Sequence, residues 1–70
     1  MSVARVVEIS STSSKNFEDA IVQGVARANE TLRNVKSAWV KEQEAEVLDG
    51  KVVAYKVNLK VTFVLDGARS

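Results

Sequence analysis

The sequence predicts an α+β fold with the order β-α-β-β, in which a three-stranded antiparallel sheet packs on one helix. Three observations predict it. Apolar residues occupy every second position from 53 to 65, which is the period of a strand with one buried face. Apolar residues recur every three or four positions from 17 to 35, as on an amphipathic helix. Asp49-Gly50 precedes the last strand and favours a tight hairpin turn.

The first strand is predicted at residues 3–10, where Val3, Val7 and Ile9 share one face. The polar stretch 11–16 is rich in turn-forming residues and predicts a loop. The helix should begin at Asn16, a good N-cap, with Asp19 at the position of a capping-box partner. Gly24 lies on the apolar stripe, which predicts close approach of the helix to the sheet.

The second strand is predicted at about residues 37–48, paired with the last strand through the hairpin. Ala38 and Val40 stand at even positions, whereas Ala45 and Val47 stand at odd ones. This change of register predicts a β-bulge or bend near residues 41–44. If Ala38 and Val40 face the helix, Trp39 faces away from the core of its own chain.

Composition limits the chemistry of this chain. Its 70 residues include no cysteine and no histidine, and ten basic residues against nine acidic ones give a net charge of +1. Neither a disulfide nor a histidine-based catalytic or metal site is available, and we expect no nucleic-acid partner. The N-terminal segment does not have the pattern of a signal peptide, and no apolar run is long enough to span a bilayer. We expect a soluble, cytoplasmic protein.

A chain this short buries only about 60% of its unfolded surface. Its long strands also leave sheet edges unpaired. The sequence therefore predicts an obligate homo-oligomer in which the edges and the outer sheet face meet other copies.

Side chains for catalysis are sparse, and we predict that the protein is not an enzyme. The candidate metal ligands are three alternating carboxylates, which suit a hard cation such as calcium: Glu42, Glu44 and Glu46. The alternative is a solvated face balanced by Lys56 and Lys60 across the hairpin. Single-stranded nucleic-acid binding is a weaker possibility, with stacking residues and basic residues: Trp39 and Tyr55, and Lys36, Lys41, Lys56 and Lys60.

The combined pattern resembles the dodecin family over residues 3–66, with a short tail at 67–70. The segments that carry it are "EISSTSSKNFEDA" at the start of the helix and "YKVNLKVTFVL" in the last strand. The resemblance implies a hollow dodecamer that binds or stores a small ligand and is not an enzyme. Many dodecins stack flavins between tryptophans at a two-fold axis.

At the family's flavin site this sequence departs from the pattern. Ser37 stands where the stacking tryptophan belongs, and Lys56 stands where flavin-binding members place a glutamine. The resemblance therefore implies a small-ligand or ion store without the usual flavin site, with calcium as a candidate ion. Trp39 lies about 7 Å from Ser37 on the same strand face. The alternative function is thus riboflavin or FMN storage on Trp39, which could otherwise pack an interface or remain exposed.

Overall fold

A computed structural model describes residues 3–65, so the predicted tail at 67–70 and the end of the domain at 66 lie outside the described residues. The elements are β1 (Ala4–Ser13), α1 (Phe17–Leu32), β2 (Val35–Leu48) and β3 (Lys51–Val64). The strands form one antiparallel sheet in the order β1-β3-β2. The predicted α+β, β-α-β-β architecture is therefore confirmed, with β1 and β2 at the edges.

The first strand is longer than the sequence predicted. Residues 11–13 were expected in a loop, but β1 continues to Ser13, which pairs with Tyr55 on β3. The side chain of Ser13 is buried, and its hydroxyl donates a 2.7 Å hydrogen bond to Asp19. The long β3 supplies a pairing partner, and the bond to the helix outweighs the local turn preference of serine.

The predicted N-cap is confirmed, but its partner acts differently. Asn16 Oδ1 accepts a 2.6 Å hydrogen bond from the backbone N–H of Asp19. The Asp19 carboxylate accepts from Ser13 and so joins the end of β1 to the first turn of α1. Near the positive end of the helix dipole, that carboxylate also lies where negative charge is stabilising.

Replacing Asn16 with alanine should lower the free energy of unfolding by about 1 kcal/mol, because the Asp19 N–H loses its acceptor. Urea unfolding at fixed protein concentration measures the loss. Asn16→Ser, which keeps an acceptor at the cap, should stay within a few tenths of a kcal/mol of the original. Equal losses in the two variants would show that the cap does not contribute.

The core lies between α1 and the inner sheet face. Ala20 and Ala28 of the helix pack with the fully buried Val57, Leu59 and Val61 of β3. The close approach predicted at Gly24 is also found. A Cβ atom built there would lie 3.0 Å from Ser11 Cβ and 3.2 Å from Leu59 Cδ1. Because glycine has no Cβ atom, the helix lies this close to β1 and β3 without displacing Ser11 or Leu59.

The predicted bulge in β2 is present at Lys41. Val40 pairs with Leu59 and Glu42 with Asn58, so Lys41 has no opposing residue on β3. The extra residue changes the alternation of β2. Trp39 before the bulge and Glu42 after it therefore lie on the same, outer face of the sheet, while Val40 faces the helix.

The β2–β3 turn is formed at Asp49 and Gly50, with φ of 53° and 76°. Both angles are positive, as a two-residue hairpin loop of type I′ requires. Because β1 ends opposite Tyr55, the hairpin beyond that residue has no third strand. The predicted burial of odd positions in the last strand holds from Val57 to Phe63, is partial at Tyr55, and fails at Val53 and Leu65, which are exposed.

Candidate functional site

The outer face of the sheet carries the candidate site. Residues directly opposite one another in a sheet project to the same side, so each polar position of β3 shares a row with one residue of β1 and one of β2. From one end of the sheet to the other, these rows read as follows: Val6, Thr62 and Ser37; Glu8, Lys60 and Trp39; Ser10, Asn58 and Glu42; Thr12, Lys56 and Glu44.

Trp39 lies on this face with 67% of its surface exposed, so the prediction that it is outside the core of its own chain is confirmed. Its ring is paired with a cation. Lys60 Nζ lies 5.3 Å from the ring centroid, within the range of a cation–π interaction. Lys60 was expected to balance the glutamates of β2, but it lies opposite Trp39 in the register of the β2–β3 hairpin.

The structure brings together two of the three positions of the family's flavin site. Ser37 lies opposite Thr62, one row from the Trp39–Lys60 row and on the same face. Lys56 is four residues from Lys60 along β3, about 13 Å at the rise of a strand. Its ammonium lies 4.0 Å from Glu44. Within one chain, Lys56 is therefore not a neighbour of Trp39.

Glu42, Glu44 and Glu46 follow the bulge along the outer face. Glu42 accepts a 3.1 Å hydrogen bond from Asn58 Nδ2, Glu44 is near Lys56, and Glu46 lies opposite Ala54. The Cα atoms of residues two positions apart on a strand are about 7 Å apart, and calcium takes six to eight oxygen ligands. Among residues 3–65, no three acidic side chains converge on one point.

An ion pair between Glu8 and Lys41 was not predicted. Lys41 Nζ lies 2.8 Å from Glu8 Oε2, across β3 from its own strand. The hydrogen bond and charge of Lys41 lower the pKa of Glu8, and the same bond raises the pKa of Lys41. The feature of the sequence that could have indicated this ion pair is the bulge at Lys41. An extra residue on the outer face has no partner in its own row and can reach the far strand.

The Glu8 carboxyl should titrate below its ordinary pKa, and Lys41→Met should raise that pKa toward the ordinary value. The pair therefore favours folding above the ordinary pKa of glutamate, and this contribution is lost as the pH falls through the lowered value. Carboxyl chemical shifts followed by NMR against pH measure both proteins. An unchanged Glu8 pKa in Lys41→Met would contradict the pairing in solution.

Tyr55 is not available for the stacking that the nucleic-acid hypothesis required. Its ring packs edge-on against Phe17, with centroids 5.1 Å apart and planes at 78°. This contact closes one end of the core. Of the two aromatic residues in that hypothesis, only Trp39 lies on the exposed face.

Among the described residues, no helix has the length and apolar character needed to cross a membrane.

The model of the dodecin family matches residues 3–66. Calcium dodecin of Mycobacterium tuberculosis is 32% identical over 69 residues, covering 99% of this chain and 97% of that protein. A solved structure of that calcium dodecin, described as having a novel calcium-binding site, matches with a TM-score of 0.80. It is 28% identical, with 97% of each chain covered.

Other dodecins of known structure match as well. Dodecin from Streptomyces davaonensis has a TM-score of 0.89 and 35% identity, covering 93% of this chain and 96% of that one. A variant of Thermus thermophilus dodecin has a TM-score of 0.89 and 35% identity, with 97% and 100% covered. The resemblance found in the sequence is thus confirmed: the chain belongs to the dodecin family.

Proposed function

We propose that this chain forms a hollow homododecamer in the cytoplasm that binds and stores a small ligand without catalysis, and that calcium is the ligand it holds. The observation that carries the proposal is the outer sheet face. Position 37 of this face is a serine and not a tryptophan, and exposed carboxylates follow one another along β2. The similarity to a protein named calcium dodecin supports the same ligand.

Carboxylate oxygens are suitable ligands for calcium, but one chain does not bring enough of them together to fill its coordination shell. Calcium takes six to eight oxygen ligands, and no three acidic groups converge in residues 3–65. The proposed site therefore lies where outer faces of neighbouring copies meet. There, Glu42 and Glu44 from more than one copy, with the Asn58 amide that orients Glu42, would supply the oxygens.

The proposal of a non-catalytic role rests on the residues available. The sequence contains neither histidine nor cysteine, and the outer face offers carboxylates, lysines, hydroxyls, one amide and one tryptophan. A binding and storage role uses these groups as they stand, without a nucleophile or a general base near neutral pH.

A second candidate is storage of riboflavin or FMN on Trp39. The observation in its favour is the exposed indole, which lies on the same face as Ser37 and has Lys60 near its ring. A flat ring could stack on the indole, and Lys60 could meet the phosphate of FMN. Against it, the ammonium already occupies space near the ring, and Lys56 lies two rows away.

Calorimetric titration with calcium tests the first candidate. We expect saturable binding that is lost in the double variant Glu42→Gln, Glu44→Gln and retained in Glu30→Gln, a matched change on the exposed face of α1. Titration with riboflavin and FMN, following flavin and Trp39 fluorescence together, tests the second. Mutual, saturable quenching without calcium binding would overturn the calcium proposal in favour of flavin.

A further inference from the structure

The ion pair between Lys41 and Glu8 spans the full width of the sheet. Lys41 belongs to β2 and Glu8 to β1, and β3 runs between them. Two inter-strand spacings, about 10 Å, therefore separate the two backbones. The side chains cross this distance over the outer face, and Lys41 Nζ ends 2.8 Å from Glu8 Oε2. A residue of β2 thus places a positive charge on the far strand.

Glu8 takes its ion-pair partner from β2 although a lysine lies directly opposite it on β3. That lysine is Lys60, and its ammonium lies 5.3 Å from the centroid of the Trp39 ring. The ammonium that contacts Glu8 comes from Lys41, the extra residue of the bulge, which has no opposing position on β3. The bulge therefore supplies Glu8 with a cation.

The same ammonium belongs to the residue beside Glu42. Glu42 follows Lys41 in the chain and lies on the outer face opposite Asn58, whose amide donates a hydrogen bond to it. Glu8 lies in the adjacent row of that face. One chain thus already holds a cation at a carboxylate next to the proposed calcium ligands, and this cation is its own Lys41.

The Lys41–Glu8 pair is open to exchange with a free ion. Its side chains are 44% and 50% exposed, and exposed ion pairs contribute little because water screens them and two long side chains must be ordered. Calcium carries one more charge than an ammonium and accepts carboxylate oxygens as its preferred ligands. A calcium ion on the outer face can therefore compete for Glu8.

We infer that Glu8 is a further carboxylate ligand of the proposed calcium site, and that Lys41 is the internal cation that calcium displaces from it. The inference rests on the calcium part of the proposed function. It adds a ligand from β1 to Glu42 and Glu44 of β2. Because calcium and the ammonium compete for one carboxylate, Lys41 raises the calcium concentration at which the site fills.

Calorimetric titration of Lys41→Met with calcium tests this competition. Methionine keeps an unbranched side chain and removes the ammonium. We expect the dissociation constant to fall about tenfold, because the site gains a free carboxylate and its count of charged ligands sets its affinity. Lys15→Met is the matched control, since it removes the same charge from an exposed position between β1 and α1. Its affinity should stay within about twofold of the original, because salt screens distant charges.

The dependence on Glu8 separates direct competition from a general effect of charge. In a Glu8→Gln background, Lys41→Met should tighten calcium binding by no more than about threefold, because the carboxylate that it would free is absent. Lys41→Arg keeps the positive charge and should bind calcium as the original protein does. Circular dichroism and light scattering show whether each variant folds and assembles, which we expect because both side chains are exposed.

Equal affinities in Lys41→Met and Lys15→Met, or the same gain with and without Glu8, would overturn the inference and leave the calcium proposal standing. Calcium binding by Lys41→Met and not by the original, lost again when Glu8→Gln is added, would uphold the competition and overturn calcium storage by the original chain. No calcium binding by any of these proteins would overturn both.

Discussion

Replacing Gly24, a buried residue of α1, with valine should lower the free energy of unfolding by about 3 kcal/mol. A Cβ atom at this position already lies 3.0 Å from Ser11 Cβ and 3.2 Å from Leu59 Cδ1. Valine adds two methyl groups to a Cβ atom that already requires its neighbours to shift by a few tenths of an ångström. Overpacking by a few methyl groups typically costs 1–3 kcal/mol, and here the helix must also move away from β1.

Urea unfolding of Gly24→Val, at the protein concentration used for the original, measures this loss. Glu18→Val is the matched control, because it places the same β-branched residue at an exposed position of the same helix. The control should cost less than about 1 kcal/mol through helix propensity. Similar losses in the two variants would show that the helix does not approach the sheet at Gly24.

Replacing Leu59 with alanine should cost about 2–5 kcal/mol, the range for a fully buried leucine. Leu59 is among the largest fully buried side chains of the described core and packs from β3 against α1. The control is Val6→Ala, an aliphatic truncation on the exposed outer face of β1, expected within about 0.5 kcal/mol. Thermal or urea unfolding measures both, and a small loss at Leu59 would contradict the core.

The two sites should also be coupled. Leu59→Ala removes the Cδ1 atom that a Cβ at position 24 would meet at 3.2 Å. Gly24→Ala should therefore be less destabilising in the Leu59→Ala background than in the original. A double-mutant cycle measures that difference, and strictly additive losses would place the clash on Ser11 alone.

The elements with strong periodicity could be predicted from the sequence. The stripe that includes Ala20, Gly24 and Ala28 predicted the helix, and the alternation around Val57 and Leu59 predicted β3 and its buried face. Even the bulge in β2 was visible as a change of register. The end of β1 could not be predicted in this way, because serines favour turns locally, and only the pairing with β3 extends the strand to Ser13.

The candidate site was predictable only in part, because side-chain pairing depends on strand register. The sequence placed Trp39 outside the core, but the register of β2 on β3 decides that Lys60 lies over Trp39, and the bulge at Lys41 lets that lysine reach Glu8. A shift of one residue in the register of β2 on β3 would have paired different side chains on the outer face. A ligand site shared between copies also depends on how the outer faces of those copies meet. The periodicity of residues along one chain does not predict that arrangement.

Native mass spectrometry of the purified protein, with calcium and FMN added separately, tests the central claim most directly. We predict one species near twelve times the 7.6 kDa chain mass, shifted by bound calcium and unshifted by FMN. A dodecamer that gains FMN and no calcium would contradict the proposed ligand. A monomer or another stoichiometry would contradict the proposed shell.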